Sequence, residues 1–174
     1  MKKEYNFRKA GEGDLEEFYI LFNKLTVELF SEYSLNIRKN IVEKEWSYNA
    51  VKAQFNSGQI NIYLAFSFDK LIGYLVARPI VGGVCLGEWM AIDKDYQKMG
   101  VASGFLSVWE KDAKKNGMHK LHLWADKRNV QFYKNRGFIL VGKIPKNYYG
   151  VDDYFFYKSI QKPLEKNYLK KELK

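Results

Sequence analysis

A chain of 174 residues, 47% hydrophobic and 17% aromatic, has material for one packed core and is too apolar for a disordered protein. Its formal net charge of +9 favours anionic partners such as phosphorylated cofactors or nucleic acid. The lone cysteine, Cys85, excludes an internal disulfide and a cysteine-built zinc site, and no apolar run reaches the roughly 18 residues of a membrane span.

The N-terminal run has no apolar signal core, and Cys85 lies in an apolar stretch that predicts a buried, inert thiol. Both fit a cytoplasmic protein without membrane contact. Residues 5–8 read as a first strand. Gly11, Gly13 and Asp14 punctuate, with Asp14 placed to cap a helix. Leu15, Phe18, Tyr19, Phe22, Leu25 and Leu29 then recur at three- and four-residue spacing, which predicts an amphipathic helix. A second helix is expected over 41–55, through Trp46 and Val51.

The period then changes. Residues 60–68 and 71–80 are β-rich runs parted by Asp69-Lys70, a hairpin signal, and Gly82-Gly83 turns the chain into a third run over 84–92. These three form an antiparallel meander. A helix follows over 100–116, with Gly117 at its C-terminal end. Residues 120–125 make a strand, 128–135 a short helix stopped near Gly137, and 138–143 with 154–160 a final antiparallel pair. The order predicts an α/β (α+β) domain over 1–160 with a mixed, mostly antiparallel sheet of six to seven strands and about four helices. The strands 84–92 and 120–125 flank a helix and are expected to be parallel neighbours through a right-handed crossover. Residues 161–174 form a basic tail with five lysines against two glutamates.

The most informative run is Met90-Ala91-Ile92-Asp93-Lys94-Asp95-Tyr96-Gln97-Lys98-Met99-Gly100-Val101-Ala102. A strand enters a short loop that opens a helix, and helix N-termini present unpaired N–H groups and the positive dipole end. Gly100 permits close backbone approach, and Ala102 is small. A diphosphate fits on the amides of Lys98, Met99, Gly100, Val101, Ala102 and Ser103. Taken alone, the run also reads as a plain strand-to-helix connection, since its glycine spacing matches neither the dinucleotide fingerprint nor the P-loop.

With a second run the pattern sharpens. Gln97-Lys98-Met99-Gly100-Val101-Ala102 resembles the (Arg/Gln)-x-x-Gly-x-(Gly/Ala) signature of the GNAT superfamily of acyl-CoA-dependent N-acyltransferases. Phe132-Tyr133-Lys134-Asn135-Arg136-Gly137-Phe138 resembles its aromatic-Tyr-x-x-x-Gly-Phe stretch. The element order is similar to about Ile160. The resemblance implies a splayed central parallel pair that admits the pantetheine arm of acetyl-CoA, with main-chain contacts from Met90, Ala91 and Ile92 and diphosphate contacts from Gln97 to Ser103. It implies Tyr133 as the general acid for the CoA sulfur. Where the family often carries Asn and a small residue, this chain has Asp126 and Asn129. Asp126 accepts but does not donate, and Asn129 is placed to donate instead.

Glu88 is the candidate base. It shares a strand face with Met90 and Ile92 by period two, and an acid within an apolar run needs a purpose or a partner. Substrate positioning and a structural ion pair stand beside that reading. His119 and His122 stand at i, i+3 on a strand with no carboxylate or thiol cluster beside them, so no metal is expected. Tyr148, Tyr149, Asp152 and Asp153 precede the last strand and offer a subsite for a cationic acceptor, or simply an exposed acidic turn. Glu32 and Tyr33 are similar candidates, because that region covers the acceptor cleft in the family. The expected reaction is acetyl transfer to a small-molecule or peptide amine by a monomer or homodimer. Acetylation of aminoacyl-tRNA and a non-catalytic CoA-binding regulatory domain are the alternatives.

Overall fold

Helix and strand alternate nearly as the periodicity predicts in a computed structural model, which describes residues 4–169. The strands are β1 (Asn6–Lys9), β2 (Asn61–Ser67), β3 (Lys70–Ile80), β4 (Val84–Ile92), β5 (Lys120–Ala125), β6 (Ile139–Ile144) and β7 (Asp153–Ser159). The helices are α1 (Leu15–Leu29), α2 (Leu35–Asn40), α3 (Tyr48–Asn56), α4 (Val101–Lys115), α5 (Val130–Lys134) and α6 (Glu165–Leu169). Hydrogen bonding orders the strands β1-β2-β3-β4-β5-β7-β6. β4 and β5 run parallel, as their intervening helix requires, while β1/β2, β5/β7 and β6/β7 are antiparallel.

Contacts divide the chain into two compact units. The first holds the chain up to Val76 together with Trp89–Val108. Here the three- and four-residue spacing of α1 buries Leu15, Phe18, Phe22 and Leu25 completely. Phe18 and Phe22 meet Tyr74 of β3 at ring distances of 5.3 and 5.4 Å. Each such buried ring contributes roughly 2 to 3 kcal/mol of transfer free energy. At the start of α4, Phe105 meets Phe7 of β1 edge to face at 5.3 Å.

Two local expectations are corrected in this unit. Asp14 does not cap α1 with its side chain. Its carboxylate instead accepts from the Gly11 N–H at 2.7 Å and from both terminal nitrogens of Arg8, closing the turn before the helix. The helix expected over 41–55 is two helices. α2 starts at Leu35 behind a Ser34 cap and is followed by a π-helical turn at Ile41–Glu45 that closes at Trp46, before α3 begins at Tyr48. The widened turn closes on a Trp46 N–H to Ile41 carbonyl bond of 2.8 Å. It delivers the Trp46 ring against Phe22 and Trp89, at 5.9 and 6.0 Å.

The second unit holds Ala77–Glu88 and the described chain from Trp109 onward. Trp109 is fully buried, donates to the Cys85 sulfur at 3.2 Å and stacks on Phe138 at 6.4 Å. Cys85 is therefore a buried thiol outside any disulfide, as its apolar setting predicts. Glu110 anchors the rear of α4 to β7 through Lys158 at 2.7 Å. α6 covers the first part of the basic tail, where the Tyr168 hydroxyl meets His119 Nδ1 at 2.9 Å. Residues 170–174 of that tail lie outside the described residues. Among the described residues, no helix is long and apolar enough to cross a membrane.

Candidate functional site

In the first unit, β4 runs into the turn that the sequence singles out. The Asp93 N–H still donates to the Ile72 carbonyl on β3 at 2.9 Å. The Asp93 carboxylate is buried, accepts from the Asp95 N–H at 3.3 Å and pairs with Lys24 of α1 at 3.2 Å. Burial works against its charge, but the Asp95 N–H and Lys24 outweigh that and hold the carboxyl below its ordinary range. A short 3-10 turn, Lys94–Tyr96, follows. Gln97 reaches back to donate to the Ile92 carbonyl at 3.0 Å, so its side chain closes the loop.

The turn then becomes unusual. Lys98 stands at φ 60° and Gly100 at φ 90°. Left-handed residues alternating with ordinary ones are the backbone pattern from which anion-binding concavities are built. A Cβ built on Gly100 would meet nothing within 4 Å, so glycine serves the backbone conformation and an open approach there. The first intrahelical bond of α4 runs from the Gly104 N–H to the Gly100 carbonyl at 3.0 Å. The amides of Val101, Ala102 and Ser103 precede it, at the positive end of a 15-residue helix. Met99 is tied from outside by the Tyr5 hydroxyl at 3.4 Å.

Along β4, the Asp93 N–H points to β3, so period two turns the main-chain groups of Met90 and Ile92 off the opposite edge of the strand. The parallel register with β5 runs from Val84↔Lys120 to Gly87↔Leu123, and β4 continues past its last rung through Glu88 to Ile92. Ala91 is buried against β3. A Cβ on Gly73 would stand 2.8 Å from the Ala91 carbonyl oxygen, so only glycine lets the two backbones approach this closely.

The second unit carries the titratable candidates. Glu88 pairs with Arg78 of β3, Nε to Oε1 at 2.7 Å, and its Oε2 is buried without a hydrogen-bond partner. Tyr133 lies on α5 with its ring enclosed by Phe132, Phe138 and Phe156 at 5.0 to 5.7 Å. Burial, with a smaller push from the Asp126 charge, raises its phenol above the ordinary range, so the hydroxyl keeps its proton at neutral pH. Asp126 caps the turn before α5. It accepts from the Asn129 N–H at 3.1 Å, from the Asn129 amide at 3.3 Å and from Arg128 at 2.8 Å. The two residues are thus brought together and bonded to each other.

The acceptor candidates fall into two groups. Glu32 and Tyr33 follow α1 in the first unit, with Tyr33 buried at 8% exposure. Tyr148, Asp152 and Asp153 belong to the second. There Asp152 pairs with Lys143 and accepts from the Lys146 N–H at 3.0 Å, while the buried Asp153 is held by the Asn147 amide at 2.9 Å. The Tyr148 and Tyr149 rings meet at 4.7 Å. His119 bonds Tyr168, and the His122 ring stands 5.1 Å from Phe155. Among the described residues, no group of three or more His, Cys, Asp or Glu is arranged to hold a metal ion.

Three residues add to the sequence reading. Lys24 and Asp93 brace the turn, and Arg78 engages Glu88. A signal for Arg78 exists in the sequence: it and Glu88 stand equally far from Gly83 on either side of the hairpin, so opposite charges face across two strands.

Residues 58–140 match the family model of the acetyltransferase (GNAT) domain, a span from the start of β2 into β6 that includes Glu88, the turn at Gly100 and Tyr133. The fold is shared with the PaiA N-acetyltransferase of Thermoplasma acidophilum solved with coenzyme A, at 19% identity over 90% of this chain and 99% of that one, TM-score 0.74. It is shared with a GNAT-family acetyltransferase of Streptococcus pneumoniae, at 22% identity over 91% and 100%, TM-score 0.74. A chimeric spermidine N-acetyltransferase from Vibrio cholerae is similar at 16% identity over 90% and 95%, TM-score 0.68. No curated protein matches the chain significantly.

Proposed function

We propose that this chain, whose residues 58–140 match the acetyltransferase (GNAT) domain, moves an acetyl group from acetyl-CoA to a primary amine by direct attack of the amine on the thioester. The observation that carries this reading is the turn at Lys98 and Gly100. Two left-handed residues lead into the start of α4, and a Cβ on Gly100 would meet nothing within 4 Å, directly after the strand that would present the thioester. The residues fit the donor. An anion-binding concavity suits its diphosphate, and the main-chain groups of Met90 and Ile92, turned off the edge of β4, suit the amides of its pantetheine arm.

In this reading the amides of residues 98–103 hold the diphosphate, and a main-chain N–H near Met90, Ala91 or Ile92 polarises the thioester carbonyl, an effect of about 3 kcal/mol. Glu88 takes a proton from the acceptor's ammonium, through Oε2 or a water on it, and frees the nitrogen lone pair. The nitrogen then bonds the carbonyl carbon and the C–S bond breaks. Tyr133 gives its proton to the departing sulfur, and the second nitrogen proton restores the phenol by way of solvent. The products are an amide, free thiol and one released proton.

Asp126 and Asn129 are proposed to flank the donor. Glu32, Tyr33, Tyr148, Asp152 and Asp153 are proposed on the acceptor side. Asp152 enters that role with its charge already matched by Lys143, so Asp153 and the tyrosines carry more of it. The likeness to a spermidine acetyltransferase puts polyamines first in the acceptor panel.

The test is a thermal shift with acetyl-CoA followed by thiol release with polyamines, amino acids, aminoglycosides, peptides and aminoacyl-tRNA. Stabilisation with thiol release on a free amine is the expected result. Release only with aminoacyl-tRNA, falling steeply with salt, would move the acceptor to tRNA. Stabilisation without release makes the protein a CoA-binding regulator, and no stabilisation ends the reading.

A further inference from the structure

Glu88 shows an asymmetry that an ordinary cross-strand ion pair does not need. Arg78 donates its Nε to Oε1 at 2.7 Å. The other oxygen, Oε2, is buried and accepts no hydrogen bond from any described residue. A carboxylate has acceptor sites on both oxygens, and a buried one left empty is costly unless a donor arrives from outside the chain. The pair is largely enclosed, with 17% of the Glu88 side chain and 29% of Arg78 exposed. It therefore keeps its geometry instead of trading partners with solvent.

We propose that Arg78 is a positioning residue for Glu88: it occupies Oε1, fixes the carboxylate plane, and leaves Oε2 to accept an N–H of the amine substrate. This rests on the reading of Glu88 given above. Arg78 does two things in it. Its cation stands 2.7 Å from Oε1 and so holds that oxygen in a charge-assisted bond. Its planar guanidinium sets the rotation of the carboxylate, so the empty lone pairs have one direction. The proton step balances. One N–H bond of the ammonium breaks, the electron pair stays on nitrogen, and an O–H bond forms at Oε2.

The experiment is a double-mutant cycle on turnover with the best amine found, with acetyl-CoA affinity measured by calorimetry in each variant. Glu88→Gln is expected to lower kcat by at least about tenfold, and Arg78→Met to do the same, with acetyl-CoA affinity held within about twofold. The Arg78→Met/Glu88→Gln double variant should be no slower than Glu88→Gln alone, because Arg78 acts only through Glu88. Arg78→Lys keeps the charge without the planar donor, so a loss of about threefold in kcat is expected. Wild-type kcat in Arg78→Met, or losses that multiply in the double variant, would overturn the proposal while leaving Glu88 in place. Wild-type kcat in Glu88→Gln would instead remove the base itself. Should Arg78→Met fail to fold, Arg78→Lys decides: unchanged kcat in that folded variant overturns the positioning role.

Discussion

Lys24 of α1 and Asp93 at the end of β4 hold each other at 3.2 Å, although they stand 69 residues apart. The second carboxylate oxygen of Asp93 accepts from the Asp95 N–H, so one side chain ties a helix to the turn that leads into α4. Removing it frees the turn at its root. Asp93→Ala should cost about 1 kcal/mol, the usual worth of such a cap, and should weaken acetyl-CoA binding. Lys24 is half-exposed, so Lys24→Met should cost less. The pH dependence has a definite sign. A carboxyl held below its ordinary range contributes stability that is present above the unfolded value, near pH 4, and is lost as pH falls through the folded value. Urea unfolding of wild type and Asp93→Asn from pH 6 to pH 3 should therefore show a gap that is constant at the upper end and closes below about pH 4. A constant gap throughout would show that the Asp93 charge contributes nothing to the brace.

Tyr133 is enclosed by three aromatic rings, and burial raises its phenol. A raised phenol is a weaker acid but remains protonated throughout the neutral range, as sulfur protonation requires. Tyr133→Phe keeps the ring packing and removes only the hydroxyl. Turnover should fall at least about tenfold with acetyl-CoA affinity nearly unchanged. Equal turnover in the folded variant would leave Tyr133 as a packing residue.

Gly100 separates conformation from crowding. At φ 90° a side chain is strained, yet its Cβ would meet no protein atom within 4 Å. Gly100→Ala should therefore cost the fold only about 1 to 2 kcal/mol, the left-handed penalty for one residue. On the proposed placement of the diphosphate, acetyl-CoA affinity should fall much further, because the new methyl group stands in its approach. Calorimetry that finds wild-type affinity would move the diphosphate away from this turn.

Much of this was legible in the sequence because period and punctuation carry local information. The 84–92 and 120–125 strands, their parallel pairing and the helix starting near Gly100 follow from spacing alone. What escaped is what non-local packing decides. Ile41, Val42 and Trp46 fit one continuous helix, and only Phe22 and Trp89 supply the reason for the π-helical turn that breaks it. Asp14 has the composition of a cap, but Arg8 and the Gly11 N–H claim its oxygens first. Asp126 and Asn129 read as ligand contacts from motif position, while the fold also uses them to start α5. Lys24 carries no mark in the sequence that sets it apart from the other lysines. Its partner is found only once α1 is packed against β4.

Gly73 tests whether the end of β4 must sit where it does. It lies in a fully apolar stretch of β3, where any small residue satisfies the pattern. Yet a Cβ there would stand 2.8 Å from the Ala91 carbonyl oxygen and 3.3 Å from the Ile92 Cα, both backbone atoms that do not swing aside. Gly73→Ala must push β4 outward at Ala91 and Ile92, the residues assigned to the thioester, and overpacking of this kind costs about 1 to 3 kcal/mol. The diphosphate is proposed to sit on the turn farther along, so its affinity should suffer less. The expected signature is a lowered melting temperature with kcat reduced more than the affinity for free CoA. A variant with a lowered melting temperature but wild-type kcat would show that the exact position of Ala91 and Ile92 does not matter to acetyl transfer.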